Sequence, residues 1–297
     1  MSSGDYPSLP PSRIPDPGAY PQSWNGGVHP PIFEPPRPPK RKVWLHVLLF
    51  ALTLLSTTWV GGPVYSICVL GILTAHEFGH YFAAKYHRVP ATLPYFMPFP
   101  LSPLGTLGAV IRMSPYIPNR RALFDIAAAG PIAGLIVALP VSFVGIYLSQ
   151  QVRLTGQESM VLGDTLLFRA MEWVVFGARG ENVDLMLHPA AFAGWVGLFV
   201  TALNLLPISQ LDGGHINYAL FGHKSRLVAI LAFVALLAMT AYQGFHYSVM
   251  LLLLWFMGLT HPPTLNDTVR LDRRRRMLGI LLAVVFVLCF TPAPFQL

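Results

Sequence analysis

Gly71-Ile-Leu-Thr-Ala-His-Glu-Phe-Gly-His-Tyr-Phe-Ala-Ala84 sets two imidazoles and a carboxylate, His76, His80 and Glu77, into an otherwise apolar run. On an α-helix, residues i and i+4 lie about 40° apart around the axis, so both rings come to one face within reach of a single metal ion. Glu77 sits beside that face. A carboxylate so placed can act as general base toward water activated by zinc and hand the proton to a leaving amine. In a soluble helix, two surface histidines would explain the pattern equally well. In a membrane-spanning helix they would not, because ionisable groups there are costly and mark function.

The composition is that of a chain in lipid. Hydrophobic residues make up 54% of the 297, charged residues only 11%, and the mean hydropathy is +0.53; a soluble globule is usually about 45–50% apolar. The formal net charge of +7 comes from short basic clusters between apolar runs, a topological pattern rather than a nucleic-acid surface. The two cysteines, Cys68 and Cys289, both lie in apolar segments, which excludes a disulfide framework and a thiolate metal site.

Residues 1–42 hold twelve of the 28 prolines and few large aliphatic side chains, and read as a disordered cytosolic tail without the apolar core of a secretory signal. The remainder, 43–297, reads as one transmembrane domain with its core at 43–225. Apolar runs at Val43–Val60 and Val64–Tyr86, broken by Gly61-Gly62-Pro63, predict a tight helical hairpin whose second arm carries the two histidines. Prolines at 90, 94, 98, 100, 103, 115 and 118 forbid a spanning helix over 89–118, yet the segment is too apolar for a solvated loop. Within it, Leu104-Gly-Thr-Leu-Gly-Ala-Val-Ile-Arg112 predicts a short strand or hairpin, re-entrant or at a rim beside the site. Further spans are expected at Ala122–Leu148, Pro189–Leu206, Leu227–Tyr242, Ser248–Thr260 and Met277–Thr291. The fold class is therefore an all-α polytopic membrane protein of about six to seven transmembrane helices with a short β segment near 89–118. Residues 149–188 are polar, with an apolar patch at Trp173–Phe176 suited to a membrane surface. Asp125 reads as a first-turn acid near Arg120 or Arg121.

Asn204-Leu-Leu-Pro-Ile-Ser-Gln-Leu-Asp-Gly-Gly-His215 is the second stretch loaded with polar chemistry. Pro207 and the Gly213-Gly214 pair are expected to interrupt a helix, and interruption at membrane depth aims side chains into a cavity. Asp212 is the favoured third metal ligand, with His215 the other candidate; a helix C-cap is the alternative for Asp212. Asn204 is placed to hydrogen-bond a substrate backbone or a developing oxyanion, or else to bridge helices. With the N-terminus cytosolic, Arg37, Lys40, Arg41, Lys42, Arg120, Arg121, Arg270 and Arg273 to Arg276 fall on one side, and only three arginines fall on the other. This orientation brings both polar motifs into the same half of the bilayer.

Taken together, His76-Glu-Phe-Gly-His80, the Ala129-Gly-Pro131 region, Asn204-Leu-Leu-Pro207 and Leu211-Asp-Gly-Gly214 resemble the site-2 protease family of intramembrane zinc metalloproteases. Leu93-Pro-Tyr-Phe-Met97 and Asn119-Arg-Arg-Ala-Leu-Phe-Asp125 are similar to the subgroup without an inserted PDZ domain, for which 149–188 is too short. The resemblance implies one Zn²⁺ per chain held by His76, His80 and Asp212, with Glu77 as base and Asn204 as a substrate contact. It also implies membrane-protein substrates cleaved in or near a transmembrane segment; the subgroup is found in archaea, bacteria and plastids, and a bacterial or archaeal cell membrane is the expected location. A transporter using the His/Glu cluster as a proton or ion relay is the competing reading.

Overall fold

The computed structural model describes residues 43–153, 161–163, 165–178, 183–243 and 247–296; the proline-rich tail lies outside them. The described residues are mostly helical, and among them three helical stretches are, by length and composition, long and apolar enough to cross a membrane: Val43–Tyr86, Arg120–Tyr147 and Asp212–Tyr242.

Helix α1, Val43–Tyr86, is two arms joined at Gly62, whose φ of 80° and ψ of 173° suit only glycine. Pro63 then opens the second arm, at a position whose missing N–H costs nothing. Ser66 Oγ donates to Leu54 O at 3.1 Å and lies 2.6 Å from Thr57 Oγ1. Residues 54 and 66 would stand about 18 Å apart along one straight helix. The expected hairpin is therefore present.

Strands β1 (Tyr95–Pro98) and β2 (Thr106–Val110) pair antiparallel, with Tyr95 opposite Val110 and a register shift before Pro98. Both arms of α1 hold them in place: Ser56 Oγ on the first donates to Gly105 O at 2.6 Å, and Tyr65 OH on the second donates to Leu104 O at 2.8 Å. Helix α2 (Arg120–Tyr147) starts where Asn119 Oδ1 accepts from the N–H groups of Arg121 and Ala122, both at 3.0 Å. Glycines let α2 meet its neighbours backbone to backbone. A Cβ on Gly79 would lie 2.5 Å from Ala129 O, and one on Gly145 would lie 2.1 Å from Ala191 N.

Residues 149–188 hold more structure than their polarity suggests. Strand β3 (Gln150–Arg153) pairs with β5 (Val183–Met186), and β4 (Val161–Leu162) pairs with β6 (Phe295–Gln296) after the last helix. Helix α3 (Leu166–Phe176), capped by Thr165 Oγ1, carries the Trp173–Phe176 patch, with Trp173 and Val174 exposed.

Helix α4 (Pro189–Asn204) is buried on most of its surface, with Trp195, Val196 and Leu198 packed against Tyr65, Val69, Ile72 and Ala138. It ends at Asn204, and after an irregular turn α5 (Asp212–Phe221) begins. Here one expectation is corrected. Gly213 and Gly214 open α5 instead of breaking a helix: a Cβ on them would lie 2.0 Å from Leu205 O and 2.2 Å from Ser209 O, so only glycine lets the new helix start against that turn. Asp212 is thus a first-turn residue of α5 and not a C-cap.

A 3-10 turn at Gly222–Lys224 leads into α6 (Ser225–Gln243), then α7 (Ser248–Met257) and α8 (Arg273–Cys289). Asp125 is the second correction. Its partners are not Arg120 and Arg121, which donate to Ala219 O and Arg270 O, but Arg275, whose Nε and Nη2 reach it at 2.7 and 2.6 Å, and His87 at 2.9 Å. A bidentate guanidinium ties the start of α8 to α2. The outward faces of α1, α2 and α6 carry Leu55, Ile67, Ile136, Leu227 and Leu231, exposed side chains that a lipid environment would cover.

Candidate metal centre

His76 and His80 stand one turn apart on the second arm of α1, with their Nε2 atoms 3.1 Å from each other. Asp212 approaches from the start of α5, its Oδ2 lying 3.3 Å from His76 Nε2 and 3.2 Å from His80 Nε2. Both histidines are buried, and the Asp212 side chain is 14% exposed.

These three atoms fit a tetrahedral zinc. Nitrogen and oxygen ligands at about 2.0–2.1 Å from such an ion stand about 3.3 Å from one another, and the three separations run from 3.1 to 3.3 Å. Although Oδ2 lies close to both rings, it is buried without a well-directed hydrogen bond. The convergence of ligand atoms on one point explains that better than pairwise hydrogen bonding does. The proton positions agree. His80 Nδ1 donates to Ile126 O on α2 at 2.8 Å, which leaves the Nε2 lone pair for a metal and fixes the ring. Two neutral imidazoles and one carboxylate make a donor set zinc commonly accepts.

Helix α2 makes the room. A Cβ on Gly130 would fall 2.0 Å from His80 Nε2, and one on Gly134 would fall 3.2 Å from His76 Nδ1. The Ala129-Gly-Pro131 stretch therefore does more than pack helices: its glycine leaves open the space beside the ligand atom.

Glu77 is buried next to the group without joining it. Its carboxylate accepts the backbone N–H of Ile111, the residue after β2, so the β1–β2 pair is tied to the acid. Asn204, the last residue of α4, sets its Nδ2 3.3 Å from His76 Nε2. His76, Glu77, His80, Asn204 and Asp212, drawn from three helices, meet in one place. His215 does not join the metal group; its Nδ1 faces His261 Nε2 at 2.5 Å. Sequence reasoning missed His261, Ile111 and the role of Gly130. The first two carry no local signal, and Gly130 was legible only as a small residue.

Comparison with known proteins gives a consistent picture. The sequence model of Peptidase family M50 matches residues 64–242, which include all five site residues. Over 235 residues, 75% of the chain, there is 31% identity to "Probable zinc metalloprotease EGY1, chloroplastic" of Arabidopsis thaliana, of which the match covers 42%. The rice protein of the same name is 35% identical over 52% of the chain and 27% of its own length. "Probable zinc metalloprotease EGY2, chloroplastic" of Arabidopsis thaliana is 28% identical over 79% of the chain and 42% of its own length. The chain spans less than half the length of these relatives.

Proposed function

The chain belongs to peptidase family M50, the site-2 proteases, and from that premise we propose that it is an intramembrane zinc metalloprotease that hydrolyses peptide bonds in or near transmembrane segments of other membrane proteins. One observation carries the reading: His76, His80 and Asp212 converge at zinc-ligand spacing, with a buried carboxylate beside them, inside helices apolar enough to cross a membrane. Zinc held by these three would polarise the scissile carbonyl and bring the pKa of water down to about 7.

The chain's own residues do the rest. Glu77 takes the proton of the attacking water and delivers it to the nitrogen of the leaving amine. The Ile111 N–H holds the Glu77 carboxylate in one orientation and is made from the same backbone that supports β2. The Asn204 amide, next to His76, offers an N–H to the scissile carbonyl oxygen as it gains charge. Among the described residues β2 has a ladder partner on one side only. A substrate strand unwound from its helix can add to the free edge and present its backbone to the site.

In the membrane we propose six to seven spans, counting the two arms of α1 separately and adding α4, α7 and α8, with β1–β2 as a re-entrant pair. The basic clusters at Arg120–Arg121 and Arg270–Arg276 then face the cytosol-equivalent side together with the N-terminus. A bacterial or archaeal cell membrane draws no support from the relatives, whose names are chloroplastic. Nothing favours the transporter: a proton relay needs groups in file, and these three ligands converge on one point.

Zinc analysis of the detergent-purified protein, with cleavage of a panel of single-span substrates, tests the proposal. Glu77→Gln should keep one zinc per chain and lose at least about a hundred-fold in cleavage rate. A variant that keeps appreciable activity would remove Glu77 as the base, and a wild-type protein that binds no zinc would remove the reading.

A further inference from the structure

Downstream of the metal group the chain builds a second polar cluster on the same helix. His215 lies one turn beyond Asp212 on α5, and its Nδ1 is 2.5 Å from Nε2 of His261. His261 opens the stretch His261-Pro-Pro-Thr-Leu-Asn-Asp267, which is fastened to α5 as a clip. The His261 ring stacks on Tyr218 with centroids 4.5 Å apart and planes 19° from parallel. Tyr218 OH donates to Asp267 Oδ2 at 2.6 Å, while Asp267 Oδ1 accepts from Thr264 N and Thr264 Oγ1. Leu265 N donates to Ile117 O at 3.0 Å, anchoring the clip's far side to the segment before α2.

The hydrogen bonds fix where the protons are. Pro262 O can only accept, so His261 Nδ1, 2.6 Å away, carries a hydrogen. Burial pushes the His261 pKa below its ordinary value, so the ring is neutral and its Nε2 is bare. The bond between the rings is therefore donated by His215 Nδ1–H, and His215 Nε2 is left with a lone pair. No hydrogen bond to that atom is present among the described residues, and the ring lies within electrostatic reach of Asp212 and His80.

A peptide unit presents one acceptor and one donor. The Asn204 amide meets the acceptor; the donor needs a lone pair that is not already in use. Glu77 is occupied with the water proton, and Asp212 Oδ2 is turned to the two imidazoles. We propose that His261 is a positioning residue for the hydrolysis proposed above: by accepting the Nδ1–H of His215 it holds His215 Nε2 as a fixed acceptor for an N–H of the substrate backbone. The inference rests on the proteolytic reading of the site.

Two variants of the full chain separate this role from packing. His261→Phe keeps a ring on Tyr218 and removes the acceptor, whereas His261→Gln keeps an acceptor and removes the ring. With a cleaved single-span substrate, His261→Phe should hold wild-type zinc and KM but lose about ten-fold or more in kcat, and His261→Gln should recover most of it. Nitrogen-15 NMR of histidine-labelled protein, assigned with His215→Asn, should show His215 as the Nδ1–H tautomer in wild type and as a mixture in His261→Phe. Zinc loss in His261→Phe, a kcat within two-fold of wild type, failure of His261→Gln to recover, or an Nε2–H tautomer in wild type would each overturn the proposal. If the wild-type protein cleaves nothing, the proteolytic reading fails, and with it the substrate role of His215; the NMR result still decides whether His261 sets the tautomer.

Discussion

Gly130→Ala perturbs the metal centre without touching a ligand, and the structure sets the size of the effect. The added Cβ would stand 2.0 Å from His80 Nε2 and 2.4 and 2.5 Å from Cε1 and Cδ2, where non-bonded carbon and nitrogen keep about 3.5 Å. Something must move by about 1.5 Å. Separating the helices is costly, because Gly79 already brings the α1 and α2 backbones into contact and both arms of α1 are bound to the β1–β2 loop. The ring therefore turns, and the 2.8 Å bond from His80 Nδ1 to Ile126 O is lost with it. Loss of such an outer-shell bond alone weakens metal binding about 10–100-fold. A ligand atom displaced by far more than the ~0.2 Å a zinc site tolerates adds to that. Zinc affinity should fall more than about 100-fold, or about 2.7 kcal/mol. Helix propensity acts in the opposite direction, alanine exceeding glycine by up to about 1 kcal/mol, and offsets only part of the overpacking cost of about 1–3 kcal/mol, so the metal-free protein should stay helical with a modestly lower thermal midpoint. The assay is zinc per chain by elemental analysis after equilibration with a graded chelator series. Gly71→Ala, which meets nothing within 4 Å, serves as the neutral control, and Gly134→Ala, at 3.2 Å from His76 Nδ1, should fall between. Wild-type zinc affinity in Gly130→Ala would refute the metal geometry drawn from these atoms.

Asp212→Ala should lose both zinc and cleavage, whereas His215→Ala should keep zinc, since its ring faces His261; the reverse pattern in elemental analysis would move the third ligand to His215. For topology, Tyr116→Cys and Trp173→Cys replace exposed side chains and should label from opposite faces of sealed vesicles, position 173 from the outer side and position 116 only once the cytosolic side is opened. Labelling of both from one side would undo the proposed orientation. Gly79 is unsuited to such a scan, because a Cβ there would lie 2.5 Å from Ala129 O.

What could be read from the sequence was whatever rests on local chemistry. The His76–His80 spacing gives a shared helix face by geometry alone, Gly61-Gly62-Pro63 permits almost nothing but a reversal, and the prolines of 89–118 leave only extended backbone. The two small sheets involving residues 149–188 escaped because β3 pairs with β5 and β4 with β6 across gaps that no periodicity spans. The Asp125 pairing escaped for a related reason. Arg121 even shares a helix face with Asp125, but its guanidinium and that of Arg120 are taken by Arg270 O and Ala219 O, and the guanidinium that answers the carboxylate comes from a residue 150 positions later. Gly213 and Gly214 were misread because glycine is ambiguous by itself: it ends helices where the backbone turns left-handed, and it begins one where another backbone passes too close for a Cβ. The neighbour decides which, and here the neighbour is Leu205 O. The same ambiguity hid Gly130, whose missing side chain is filled in space by the imidazole of His80. In a helical membrane protein small residues are usually read as helix contacts; two of these are contacts between a helix and the polar group it must leave room for, and that is why the metal centre depends on residues that bear no functional group.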